Sequence, residues 1–262
     1  MRLDKQLRVI PPNPAIHPYS SNVNEQLSFD LGDKLPWAKN LAVFDLETTG
    51  LDLREARIVT ACAVEIDDQG QVVGPNIEWL ADPGIEIPIA ASNVHGVTTE
   101  KARAEGRKSS EVVSEIIETL RGFFNRGIPV VAYNAPYDFT ILHYEALRHG
   151  LEPLSNPQPI IDPMVLDKFV DQYRHGKRTL QIAASIYGVK LSDAHNATAD
   201  AIAAGRVAQA IALKYPMKLP GDAIELHNAQ VSWSLAQDES YEIFRKKMTP
   251  DFSVQRGWPL KL

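Results

Sequence analysis

The chain is short of cysteine. A single thiol, Cys62, stands among 262 residues, so an intramolecular disulfide and any cysteine-rich zinc site are excluded. Cys62 sits in the strand-like run "IVTACAVEI", which predicts a buried thiol, and a cytoplasmic location is the default expectation. Apolar runs of the ~18 residues needed for a membrane span are also missing. The first residues, "MRLDKQLRVIPPNP", lack the apolar core of a signal peptide, so no membrane association is expected. Positive charge is in deficit, with 27 Lys and Arg against 33 Asp and Glu and a net charge of -6. A general polyanion binder is therefore unsupported, although bound divalent cations could offset the repulsion locally. What remains is ordinary for a globular chain with a sizeable core: 44% hydrophobic and 23% charged residues.

Residues 1–38 are polar and include "PPNPAIHPYSSN", which reads as an extended or disordered arm. Within it, "EQLSFDLG" (25–32) loosely resembles peptides that dock on sliding clamps. From Leu41 the pattern predicts a strand over 41–47 and two more, "RIVTACAVEI" and "QVVGPNIEWL", joined by "DDQG" as antiparallel hairpins. Val112, Val113, Ile116, Ile117, Leu120 and Phe123 recur at helical spacing and predict a helix over about 109–125. "PVVAYN" reads as a short buried strand, "YDFTILHYEALRHG" as a helix ending at Gly150, and "PIID" as a last short strand. Helices near 163–173, 179–187 and 198–213 follow. Strands first, then strands alternating with helices, predict a three-layer α/β fold with a mixed five-stranded sheet flanked by helices. "KLPGD" marks a boundary, giving an arm (1–38), a central domain (39–216) and a helical extension (217–262). In that extension Leu226, Ala229, Trp233, Ala236, Ser240 and Phe244 form a mostly apolar stripe. It suits a helix packing back on the domain or one that binds a partner.

The chemistry concentrates in acids. In "LAVFDLETTG" alternate side chains share a face, so Asp45 and Glu47 stand side by side at the end of a strand that is apolar on both sides. Either the strand emerges into water there, or the pair titrates abnormally or holds a cation. Asp138 falls in the first turn of the helix after "PVVAYN", where an acid also suits the helix dipole. Asp200 heads the apolar stripe Ala204, Val207, Ala208 and Ile211, a costly place for an unpaired charge. His195 precedes it in a loop.

"FDLETTG", "AYNAPYD" and "AHNATADA", in this order, resemble the three motifs of the DnaQ-like 3'→5' exonucleases, and the histidine five residues before the last aspartate resembles their DEDDh branch. "NVHGVTTE" (93–100) and "IDPMVLDK" (161–168) add smaller matches, and the similarity covers roughly residues 40–213. The proofreading epsilon subunit of DNA polymerase III belongs to that superfamily, and the tail looks like that of actinobacterial members. The resemblance implies a ribonuclease H-like fold. It implies that Asp45, Glu47, Asp138 and Asp200 bind two divalent cations, Mg²⁺ or Mn²⁺, with His195 as general base. Thr48, Thr49, Gly50 and Leu51 would contact the terminal nucleotide, with His95, Asn134 and Phe139 as further substrate contacts.

Hard oxygen ligands select such ions, and two of them ~4 Å apart can activate water and stabilise a leaving 3' oxygen. A neutral histidine near its ordinary pKa of ~6.5 suits removal of the water's proton. The expected activity is release of nucleoside 5'-monophosphates from single-stranded DNA 3' ends, in proofreading or repair. An RNA-trimming exoribonuclease is the alternative within the same chemistry. A non-catalytic replisome adaptor is the alternative of another class. A polymerase or sliding clamp acting in trans is the expected kind of protein partner.

Overall fold

The computed structural model describes residues 34–191 and 196–262. The clamp-like segment at 25–32 and His195 therefore lie outside the described residues. A 3-10 turn at Pro36–Ala38 buries Trp37 and leads into β1 (Leu41–Thr48). Strands β2 (Ile58–Ile66) and β3 (Val72–Asp82) complete an antiparallel meander with β1, as the "DDQG" turn predicts. On the far side of β3 lies the two-residue β4 (Arg107–Lys108). On the other side of β1, β5 (Val130–Val131) and β6 (Ile160–Ile161) pair in parallel. The sheet order is β4-β3-β2-β1-β5-β6.

The sheet thus has six strands rather than the expected five, the addition being β4, which is too short for an alternation to be read. Also unannounced are 3-10 turns at Pro36–Ala38 and Pro216–Lys218 and the short helices α1 (Ile89–His95) and α2 (Thr99–Glu105). α1 buries none of its residues and α2 only Ala102, so neither carries an apolar stripe.

Long helices cover both faces of the sheet, and β1 shows why its two apolar faces were needed. Ala42, Phe44 and Leu46 join a core with Ile116 and Leu120 of α3 (Ser109–Asn125) and Phe139 and Ile141 of α4 (Ala135–Arg148). Leu41 and Val43 join the opposite core with Leu166 of α5 (Pro163–Val170), Leu180 of α6 (Leu180–Ile186) and Val207 and Ile211 of α7 (Ala197–Lys214). Cys62 is buried in this second core.

α7 approaches the sheet closely through Gly205. A Cβ there would lie 2.4 Å from Val43 Cγ1 and 2.6 Å from Ile66 Cδ1, deep in the packed layer. Gly205→Ala is expected to cost about 1–3 kcal/mol of stability despite alanine's better helix propensity. Urea unfolding checks this, and an unchanged or raised midpoint would contradict the close packing.

The last helix, α8 (Ala223–Lys246), seals the β6 edge of the sheet. His227 Nδ1 accepts the Ile160 N–H at 3.0 Å, and Gln230 Oε1 accepts the Asp162 N–H at 2.7 Å. Gln230 Nε2 donates to the Ile160 carbonyl at 3.0 Å. Two side chains therefore satisfy backbone groups that a seventh strand would otherwise pair. No helix among the described residues is long and apolar enough to cross a membrane.

Candidate active site

β1 delivers the first two acids. Its side chains are buried up to Phe44, then Asp45 and Glu47 emerge at the carboxyl end with partial exposure. The pairing of β1 with β2 slips between Glu47 and Thr48, a bulge of the kind that re-aims side chains at the end of a ladder.

The parallel neighbour brings the third acid. After β5 the chain turns through Asn134, whose φ of 64° and ψ of 50° lie in the left-handed region that asparagine tolerates. α4 then starts with Pro136 in its first turn, and Asp138 points inward, 2% exposed. Its Oδ1 accepts the Leu46 N–H at 3.0 Å, which places it against β1 between Asp45 and Glu47. The fourth acid, Asp200, lies in the first turn of α7 and is 7% exposed. Asn196 caps that helix, accepting N–H bonds from Thr198 at 3.0 Å and Ala199 at 3.2 Å.

These acids share one electrostatic field. Burial is the main cause that holds the Asp45 carboxyl well above the usual carboxylate range, and the charges of Asp138, Glu47 and Asp200 push it further. Burial and then Asp200 raise Glu47 to about 7. Burial also raises Asp138, against the N–H bonds from Leu46 and its own backbone and with the charges of Asp162 and Glu47. No lysine or arginine among the described residues pairs with Asp45, Glu47 or Asp138. Nor are three His, Cys, Asp or Glu side chains among the described residues arranged as a ready metal shell. The set is instead a group of hard oxygen donors gathered from three elements, in which Asp45, Glu47 and Asp138 have raised proton affinity. Such donors match the chemistry of a small divalent cation.

The loop after β1 is more tightly tied than its sequence suggests. Thr48 Oγ1 donates to the Gly50 carbonyl at 2.8 Å and lies 2.5 Å from the Tyr137 hydroxyl. Tyr137 itself donates to the Gly50 carbonyl at 2.8 Å. The Thr49 N–H is engaged by the Arg57 carbonyl at 2.9 Å, and its hydroxyl accepts the Arg57 N–H at 2.9 Å. Leu51, by contrast, stands 86% exposed at the tip.

The remaining candidates separate. His95, at the end of α1, accepts the Val97 N–H on Nδ1 at 3.2 Å. Its Nε2 is buried without a hydrogen-bond partner among the described residues. Burial holds its pKa down, with an opposing influence from the Thr48 backbone, so the ring borders the loop after β1. The Asn134 N–H donates to Asp162 Oδ1 at 2.9 Å. Phe139 is in the core, 2% exposed, with its ring centroid 5.8 Å from that of Phe44. Its contact here is with the core and not with open space.

Two residues near the acids escaped the sequence reading. Tyr137 locks the loop, as above. Asp162, wholly buried at the head of α5, accepts N–H groups from Asn134, Ala135 and Met164 at 2.9, 3.0 and 2.9 Å. It thereby fixes the turn that launches Asp138. Its sequence signals were its place before Pro163, that of a helix cap, and its presence in the segment "IDPMVLDK".

Acids at the carboxyl edge of β1, joined by others from the first turns of two helices packed on a mixed sheet, define a ribonuclease H-like α/β protein. The family model described as exonuclease, of the RNase T type, matches residues 42–208, and the chain belongs to that family.

Among curated relatives, a DNA polymerase III PolC-type protein of Pediococcus pentosaceus is 30% identical over 200 residues, covering 76% of this chain and 13% of that one. A DNA polymerase III subunit epsilon-like protein of Rhodobacter capsulatus is 34% identical over 131 residues, covering 49% of this chain and 17% of the relative. The chain thus spans under a fifth of the length of either relative. Solved structures of exonuclease I share the fold. The E. coli enzyme in complex with a dA16 oligonucleotide has a TM-score of 0.58 at 17% identity, covering 68% of this chain and 42% of that one. A zinc-ion-bound complex of the same enzyme with single-stranded DNA has a TM-score of 0.57 at 18% identity, with the same coverage.

Proposed function

We propose that the chain is a metal-dependent 3'→5' exonuclease of the DEDDh type that releases nucleoside 5'-monophosphates from single-stranded DNA. One observation carries the reading: Asp45, Glu47, Asp138 and Asp200, from three separate elements, are gathered so closely that the charges of the others raise the proton affinity of Asp45 and that of Asp200 raises Glu47. The names of the relatives, both DNA polymerase III proteins, and the DNA in the exonuclease I complexes favour DNA over RNA.

The four carboxylates would hold two divalent cations, Mg²⁺ or Mn²⁺, which supply charge compensation for the attacking and leaving oxygens. Asp138 is oriented for this by the Leu46 N–H, and Asp162 holds the turn beneath it. His195 takes the proton of the attacking water. That water's oxygen bonds to phosphorus, the bond to the 3' oxygen breaks, and solvent returns a proton to the new 3' hydroxyl. Thr48 and Tyr137 hold the Gly50 carbonyl in place, so Leu51 is presented to the terminal base from a fixed loop. His95, which borders that loop, would take a substrate contact there. A polymerase partner in trans fits the relatives' names, and a role in replication or repair follows from it.

Incubating the protein with 3'- and 5'-labelled DNA and RNA oligonucleotides in Mg²⁺, Mn²⁺ or EDTA tests the reading. The expected result is a ladder shortened from the 3' end of DNA, lost in EDTA and in Asp200→Ala. Absence of shortening by the wild type in either metal would refute it, and faster cutting of RNA would move the substrate to that class.

A further inference from the structure

A groove of about 860 Å³ lies between α8 and the segment joining α5 to α6, lined by aromatic rings and cations. On its wall Phe169 and Trp233 stack face to face, with centroids 3.7 Å apart and planes 9° from parallel. Tyr173 and Phe244 also line it, with exposures of 86% and 54%.

Lys168, Arg174 and Arg178 supply positive charge to this groove, and Asp238 is the one acid among its lining residues. The segment "QYRHGKR" (172–178) carries three cations and a histidine with no acid, in a chain whose net charge is -6. Buried Asp167 pairs with both arginines, Arg178 Nη1 at 2.9 Å, and Arg178 Nη2 donates to the Asp171 and Arg174 carbonyls. The pair is thus held in place beside the groove with an excess of one positive charge.

The groove also lies on the acidic side of the sheet. His227 is level with Ile160 and Gln230 with Asp162, so α8 advances in the direction of β6. Trp233 and Phe244 are three and fourteen residues beyond Gln230, about 5 and about 21 Å of helix rise past the carboxyl end of β6. Asp162, at that end, is near enough to Asp138 to raise its proton affinity.

We infer that this groove holds single-stranded nucleic acid a few nucleotides upstream of the 3' end being processed, with bases stacking on Tyr173 and Phe244 and phosphates beside Lys168 and the arginine pair. Exposed ring faces with fixed cations are the chemistry of a sequence-tolerant strand platform. The direction of the strand rests on the exonuclease reading; occupation of the groove does not.

The test is the double variant Tyr173→Ala/Phe244→Ala, which removes exposed rings outside the acid cluster. Binding of fluorescein-labelled dT12 is measured by anisotropy in EDTA, where the strand is not cut. Turnover of the p-nitrophenyl ester of thymidine 5'-monophosphate, too short to reach the groove, is measured in Mg²⁺. At ~1–3 kcal/mol per stacked base, dT12 affinity should fall about tenfold or more while ester turnover stays within twofold of wild type. Unchanged dT12 affinity would overturn the assignment, as would parallel losses of affinity and ester turnover. A short acidic peptide with one aromatic residue, the protein chemistry that cations and rings would accept, bound by the wild type and released by the same substitutions with dT12 affinity unaffected, would give the groove to a protein partner instead. A wild type that cuts DNA with no response to the variant loses only the groove. One that binds dT12 through these rings yet cuts nothing loses only the exonuclease reading.

Discussion

The Asp45→Asn protein is expected to melt at a higher temperature than wild type in EDTA and to lose DNA degradation by about 10³-fold or more. Both effects come from one carboxyl. Without metal, burial and then the charges of Asp138, Glu47 and Asp200 disfavour the ionised form of Asp45. Asparagine keeps the shape and is neutral without taking up a proton, so the cost of folding this side chain into the cluster falls. The same change removes an anionic donor from the proposed cation site, where transition-state charge stabilisation is worth several kcal/mol, or about a factor of ten per 1.4 kcal/mol. A surface control such as Glu86→Gln should move neither quantity. Calorimetry in EDTA and single-turnover cutting of a labelled oligonucleotide check the pair. Retained cutting would remove Asp45 from the chemistry, and a lower melting temperature would show that its carboxylate stabilises the fold.

Stabilisation by Mg²⁺ should grow with pH, from slight near pH 5 to largest at pH 8. The sign follows from the raised proton affinities. Glu47 sits at about 7 in the folded protein against an ordinary value of 4.5, and Asp45 and Asp138 are raised as well. Between these limits the unfolded chain gives up its protons while the folded chain keeps them. Without metal, the stability that these three groups contribute is therefore complete below about pH 4 and is lost as pH rises through the folded values. Glu47 alone, discounted for its exposed fraction, contributes about 2 kcal/mol to that decline. Cation binding favours the ionised carboxylates and cancels the loss. Melting curves with and without Mg²⁺ at pH 5, 6.5 and 8 give the comparison. An equal Mg²⁺ gain at every pH would contradict the shared field.

Much of this was legible because the long elements declare themselves. The helix over 109–125 was read from six apolar residues, and all six are buried. The meander from β1 to β3 followed from alternating runs and a tight turn. The short elements could not be read that way, since two-residue β4, β5 and β6 are too short to show a period. β5 and β6 were nonetheless predicted as short buried strands, from their apolar content and bounding turn residues, and β4 was not found at all. At the site, the placement of Asp138 beside β1 reflects a local pattern, an inward position on a first turn. Asp162 had no such signal. Its role arises from accepting the N–H groups of Asn134 and Ala135, 28 and 27 residues away, and a contact of that range leaves no mark in spacing. The same holds for Tyr137, whose hydroxyl reaches Gly50 across 87 residues.

The side chains of His227 and Gln230 have a consequence for how many copies of this chain can coexist. An uncovered edge strand is a template, and β6 has backbone groups that another chain's strand could extend. Here an imidazole and a carboxamide take those groups, and they do so from a helix, which cannot be copied strand upon strand. The helix therefore acts as a terminator of sheet growth as well as a support for Asp162. A chain shortened before residue 223 would still carry its four acids, but with an open edge beside them. Its first failure would be association with its own kind, ahead of any failure in chemistry.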